Sequence, residues 1–120
     1  MTTNLLQIAV AILIQVESHG DPHKIGDRGL AVGLTQAHPC IVVDVNRWYG
    51  THYTPADRRD PARCIEITRL WLFNAAFCQG IETPQRLAYK WHRPHGRIGN
   101  RYREKVRRVN VMISCGNSNG

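Results

Sequence analysis

Leu5-Leu6-Gln7-Ile8-Ala9-Val10-Ala11-Ile12-Leu13-Ile14-Gln15-Val16-Glu17-Ser18-His19-Gly20 is the stretch on which the fold turns. Its run from Leu5 to Val16 is apolar on nearly every helical face, which marks a helix buried in a core. The run is too short to span a bilayer. No Lys or Arg precedes it and no small-residue cleavage site follows it, so it reads as a structural helix rather than a leader. Glu17 closes the run, and the chain then turns polar and glycine-rich as far as Gly33-Leu34-Thr35-Gln36. A carboxyl group between a buried helix and a cleft-forming loop can be desolvated enough to stay protonated. A protonated carboxyl near neutral pH is a general acid. Glu17 is therefore the first catalytic candidate.

The rest of the chain supplies helices with legible starts. Thr54-Pro55, Asp60-Pro61 and Thr83-Pro84 each set a capping side chain before a proline at the first helical position. His38-Pro39 is a weaker start. The pattern predicts five main helices, at about 3–18, 39–48, 60–79, 84–92 and 100–113, with a short helical turn after Thr54. Segment 60–79 has a broad apolar face through Ile65, Ile67, Leu70, Trp71, Leu72, Ala75 and Ala76, as expected of a central helix. Gly26, Gly29 and Gly33 bend segment 23–37 into a small hairpin or irregular loop. The fold class is α+β, mainly α, in one domain over 1–115, with 116–120 as a frayed end.

The composition is that of an ordinary globular protein, but the net charge of +7 is not. It predicts a polyanionic partner: nucleic acid, an anionic wall polymer or a membrane surface. Eight basic residues lie between Lys90 and Arg108, opposed by Glu104 alone. Of the cysteines, Cys64 and Cys78 share a predicted helix and stand ~21 Å apart along it, beyond disulfide reach. The remaining schemes are 40–64 with 78–115, 40–78 with 64–115, or four reduced thiols. No CxxC suggests zinc. His92 and His95 flank a loop that could take a metal, but a polar cleft rim is the simpler expectation, and no metal or cofactor is called for.

Glycoside hydrolysis needs a proton donor and often a second carboxylate. Asp27 follows Glu17 by ten residues, in Ile25-Gly26-Asp27-Arg28-Gly29, and a hairpin can face a helix end across a cleft. Asp21, before Pro22, reads as a turn residue, and Asp44 lies inside the second helix. Trp48, Tyr49 and Tyr53 form one aromatic group and Tyr89 with Trp91 another; such rings stack on sugars or pack in a core.

Ile14-Gln15-Val16-Glu17-Ser18-His19-Gly20, followed by Gly29-Leu30-Ala31-Val32-Gly33-Leu34-Thr35-Gln36, resembles the signature of the soluble lytic transglycosylase and goose-type lysozyme superfamily. There a helix ends in Glu-Ser and a Gly-Ala-x-Gly-Leu-x-Gln loop follows; this chain has one extra residue between the first glycine and the alanine. Asp44-Val45-Asn46-Arg47, Thr54-Pro55-Ala56-Asp57 and Tyr102-Arg103-Glu104-Lys105-Val106 are similar to small phage and bacterial members, so the looser resemblance covers roughly 5–108. It implies a lysozyme-like fold. The implied function is a wall-degrading, endolysin-like glycosidase that cuts the β-1,4 bond between N-acetylmuramic acid and N-acetylglucosamine of peptidoglycan. It also implies that Glu17 is the acid, that Gln36 lines the cleft and that Ser18 positions the glutamate or the substrate. Tyr89 matches the tyrosine of the family's Ala-Tyr-Asn triplet, but here the triplet reads Ala88-Tyr89-Lys90.

The expected agent is a monomer acting at the cell wall, in the periplasm or outside the cell, with phage-type release from the cytoplasm as the route. A transglycosylase can work with Glu17 alone, whereas a hydrolase can use Asp27 to activate water. An aspartate about this far after the glutamate is found in phage-type and invertebrate-type lysozymes and favours the hydrolase. The alternative is a basic helical module that binds nucleic acid or cell wall without catalysis.

Overall fold

A computed structural model describes residues 3–94 and 96–118. It has five α-helices: α1 (Thr3–Leu13), α2 (Pro39–Tyr49), α3 (Pro61–Gln79), α4 (Pro84–His92) and α5 (Asn100–Ser118). A two-stranded antiparallel sheet, β1 (Ile25–Gly26) and β2 (Ala31–Val32), pairs Ile25 with Val32 and Gly26 with Ala31. The class is thus mainly α with a small hairpin, as expected. The proline starts hold: Asp60 accepts from Arg63 N at 3.0 Å and Thr83 from Arg86 N at 3.3 Å. Thr54 and Asp57 form a reciprocal capping box on a short 3-10 helix, Pro55–Arg59. His38, the weaker start, makes no side-chain cap. Helix α5 continues past the expected end at 113 to Ser118, and Asn119 and Gly120 lie outside the described residues.

One core joins the helices. Ile12 and Leu13 of α1, Val45 of α2, Ile67 and Leu72 of α3, Leu87 of α4 and Val106 of α5 are all fully buried in it. Two indoles lie in it, Trp71 edge-on to Trp91 at 5.3 Å, and the more exposed Trp48 tilts against Trp71 from the surface. Asp44 accepts from Trp71 Nε1 at 3.2 Å and so ties α2 to α3. The Tyr53 hydroxyl bonds Glu66 and the Tyr49 hydroxyl bonds the Leu70 carbonyl. These aromatics are packing residues, and Trp91 alone among them also borders the cleft described below. Cys40, Cys64 and Cys78 are free thiols, so neither the 40–64 nor the 40–78 bridge forms; the Cys115 side chain lies outside the description. Among the described residues, no helix is long and apolar enough to cross a membrane.

The first helix departs from the expected single run over 3–18. Regular α-geometry stops at Leu13, and Ile14–Ser18 widens into one π-helical turn. The cause is local. Ser18 Oγ donates back to the Ile14 carbonyl at 3.0 Å, and Gly20 N–H is shared between Ser18 Oγ and that same carbonyl. Such back-bonding competes with the regular ladder. His19 then ends the turn in the left-handed region, at φ 55°.

The loop from Gly33 to Ala37 is built inward. Thr68 Oγ1 donates to the Cys64 carbonyl at 2.7 Å, so the 2.8 Å contact with Thr35 must be donated by Thr35. The Cys64 thiol is left to donate to Thr35 Oγ1 at 3.4 Å, which closes a small ring of three donors. Trp91 Nε1 caps the Thr35 carbonyl at 2.9 Å. Arg58, 8% exposed, donates to the carbonyls of Leu30 and Ala37 at 2.8 and 2.7 Å. Gly33, at φ 88°, passes so close to the Arg58 backbone that a Cβ would collide with its carbonyl oxygen.

Candidate active site

The π-turn delivers Glu17 to the floor of an open cleft of about 470 Å3 between α4 and the hairpin. Its side chain is 16% exposed. Tyr102, from α5, donates its hydroxyl to Glu17 Oε2 at 2.7 Å. His92, the last residue of α4, places Nδ1 3.7 Å from the same oxygen. The imidazole lies flat on the Tyr102 ring, centroids 3.7 Å apart and planes 9° from parallel. Lys24 Nζ, on the far side of the turn, donates to the Glu17 main-chain carbonyl at 2.7 Å. Residues of α4 and α5 thus meet at one carboxyl group, and Lys24 holds the main chain behind it. Among the described residues, Oε1 has no hydrogen-bond partner.

Protonation states follow from this packing. Burial, followed by the charge of Glu17 and its hydrogen bond, pushes the Tyr102 phenol far above its ordinary value, so it remains a donor. Burial chiefly lowers His92; Glu17 pulls it upward, while Arg93 and Lys105 add to the lowering. The net effect favours the neutral imidazole. It stands beside Glu17 without forming a full ion pair.

The opposite wall carries Asp27 and Gln36. Asp27 (φ 50°) and Arg28 (φ 59°) are consecutive left-handed residues in the 3-10 turn between the strands. Asp27 Oδ2 lies 2.9 Å from His38 Nε2, and both side chains are substantially exposed. Gln36, at φ 55°, donates through Nε2 to the carbonyls of Lys24 and Gly33 at 3.0 and 3.1 Å. Its Oε1 fills the space beside Gly26, where a Cβ would approach to 2.6 Å. The non-glycine residues with positive φ among those described, His19, Asp27, Arg28 and Gln36, all fall in the segment that frames the cleft. Each such residue costs of order 1 kcal/mol or more, and strain of this kind collects at functional sites, as do π-turns.

Of the five residues expected at the site, Glu17, Asp27 and Gln36 line one cleft. Ser18 does not. It is 4% exposed and its hydroxyl is consumed by the π-turn, so it shapes the backbone that carries Glu17 instead of touching a ligand. Tyr89 does not either. It faces a neighbouring groove, where the Arg103 guanidinium sits 4.9 Å over its ring and its edge packs on Tyr102. Lys90, in the place of the triplet's asparagine, closes the end of α4 by donating to the Pro94 carbonyl at 2.7 Å. Asp21 is a turn residue that accepts from His23 N. The metal-loop idea needs His95, which lies outside the described residues.

Tyr102 and His38 were not expected at the site from the sequence, and His92 was read there only as part of a polar rim. Tyr102 reads there as one member of a packing stripe with Val106 and Val109; the one signal that sets it apart is its hydroxyl at an otherwise apolar position. In comparison with known proteins, the chain matches no family model, no curated protein and no solved structure.

Proposed function

We propose that this protein is a lysozyme-like glycosidase that cuts the β-1,4 bond between N-acetylmuramic acid and N-acetylglucosamine in peptidoglycan, with Glu17 as the proton donor. The observation that carries this is the one-sided hold on the Glu17 carboxyl. Tyr102 donates to Oε2 and so makes it the carbonyl-like oxygen of the protonated group. When Glu17 acts as the acid, its proton sits on Oε1, which has no hydrogen-bond partner among the described residues. A general acid needs its O–H directed at the leaving oxygen, and an unpartnered Oε1 leaves it free to turn there.

In the reaction, Oε1–H protonates the bridging oxygen as the bond from the anomeric carbon to that oxygen breaks. The sugar takes on oxocarbenium-like charge, and the new Glu17 carboxylate and Asp27 offset it. In the hydrolytic outcome, water adds to the anomeric carbon and gives its proton to a carboxylate. Asp27 supports this outcome, since His38 braces one of its oxygens and leaves the other for water. In the transglycosylase outcome, the sugar's own 6-hydroxyl closes the ring and returns its proton to Glu17. The substrate places the site of action at the cell wall.

Glu17→Gln should abolish release of fragments from purified peptidoglycan with an unchanged circular dichroism spectrum; wild-type rates in that variant would overturn the assignment. Product masses separate the two outcomes, because transglycosylation yields fragments lighter by one water.

A second function, nucleic-acid binding, is favoured only by the basic residues of α4, the loop after it and α5.

A further inference from the structure

Beside the Glu17 cleft, α4, Arg93 and Pro94 after it, Gly96 to Gly99 and the first turn of α5 enclose a second concavity of about 920 Å3. Arg86, Lys90, Arg93, Arg97 and Arg103 line it, and no carboxylate does among the described residues. The nearest acidic residue on α5, Glu104, is turned away and held by Arg107 (2.6 Å) and Arg108 (3.0 Å). Those two guanidiniums hold the Glu104 carboxyl down at about 2, so it stays committed to them. Among the described residues, the hydrogen bonds of the groove cations go to main-chain carbonyls: Lys90 to Pro94 and Arg103 to Ile98. Five like charges facing one hollow repel one another, and a chain of negative charges laid along it would relieve that repulsion.

We infer that this groove binds a linear phosphodiester polymer without bases, such as a polyol-phosphate chain of the cell wall, alongside the glycan in the Glu17 cleft. The two sites are contiguous: Tyr89 of the groove packs on Tyr102, which holds Glu17, and Arg93 follows His92 directly. The volume exceeds the need of a single phosphate and suits a narrow flexible chain. The aromatic content argues against nucleic acid. Tyr89 is the groove's one aromatic lining residue among those described, and Arg103 and Tyr102 already engage it. A single engaged ring offers no ladder on which successive bases stack. A duplex is read by a protruding helix or ribbon entering its major groove, whereas these cations line a hollow. The source of the ligand rests on the glycosidase assignment; the binding chemistry does not.

The test is equilibrium binding of a fluorescent glycerol-phosphate oligomer, with a single-stranded oligodeoxynucleotide of equal charge as competitor. The oligomer should bind more tightly than the DNA, with affinity falling as salt rises. The R86E/R97E variant should weaken binding about tenfold or more. It should also lower the slope of log affinity against log salt by roughly 1.4, two contacts at about 0.7 each. Arg86 and Arg97 are exposed, and R86Q/R97Q provides a milder variant should charge reversal disturb folding. E17Q should bind as the wild type does. Absent binding, binding indifferent to these variants, or tighter binding of the DNA would each overturn the proposal. For the wild-type protein, absent oligomer binding with wall cleavage intact overturns the groove alone, and absent cleavage with binding intact overturns the glycosidase assignment alone.

Discussion

Tyr102 and Glu17 stand 85 residues apart in the chain, yet a single 2.7 Å hydrogen bond joins them at the floor of the cleft. Removing that hydroxyl by Tyr102→Phe leaves the ring packed against His92 but frees Oε2, so the acid proton is no longer confined to Oε1. Turnover of purified wall should fall about tenfold to a hundredfold, with a smaller change in KM. The same variant should alter stability at alkaline pH. The Tyr102 phenol is raised in the folded protein above its ordinary value of 10. Below that pH it is protonated in both states. Above it the unfolded chain releases the proton and the folded chain retains it, so stability declines as pH rises past about 10. Urea midpoints measured on either side of pH 10 should fall less steeply in Tyr102→Phe than in the wild type. Equal slopes would show that the phenol is not shielded as described.

The elements around the cleft are held by backbone contacts that allow little substitution. Gly33→Ala forces a side chain into a left-handed backbone and against the Arg58 carbonyl. The expected loss is about 2–4 kcal/mol, seen as a drop in Tm of order 10 °C. A Tm within a degree or two of the wild type would show that the loop relaxes freely. The helices of this framework were legible because their start signals are short-range: a capping side chain, a proline, a final glycine. Glu17, Asp27 and Gln36 were legible as a set because one short segment contains them all. What the sequence hid depends on distant partners. Arg58 looks like half of an exposed Arg58-Arg59 pair until Leu30 and Ala37 offer it carbonyls. The end of α1 looks regular until the Ser18 hydroxyl turns back on Ile14. Tyr89 matches a family motif by position, yet Arg103 and Tyr102 draw it out of the cleft.

Across the whole molecule, the surplus positive charge is sorted rather than spread. Arg107 and Arg108 are spent on Glu104, Arg63 on Asp57, and Arg58 on buried carbonyls, while the cations around Tyr89 are left facing a hollow. A single core spans all five helices, so the cleft walls should open together with it or not at all. The ring formed by Cys64, Thr35 and Thr68 gives this a direct readout. Cys64 is 1% exposed, whereas Cys40 and Cys78 stand at the surface. In a C40S/C78S/C115S background, a thiol reagent meets Cys64 only after the loop carrying Thr35 has lifted away from α3. The modification rate divided by that of an unhindered thiol then gives the equilibrium constant for lifting. A slow rate that tracks global unfolding in urea would mean a cleft fixed in shape; a faster, urea-independent rate would mean one wall that breathes on its own. The chain thus carries its own stopwatch for the opening of that cleft wall, set in a thiol buried behind it.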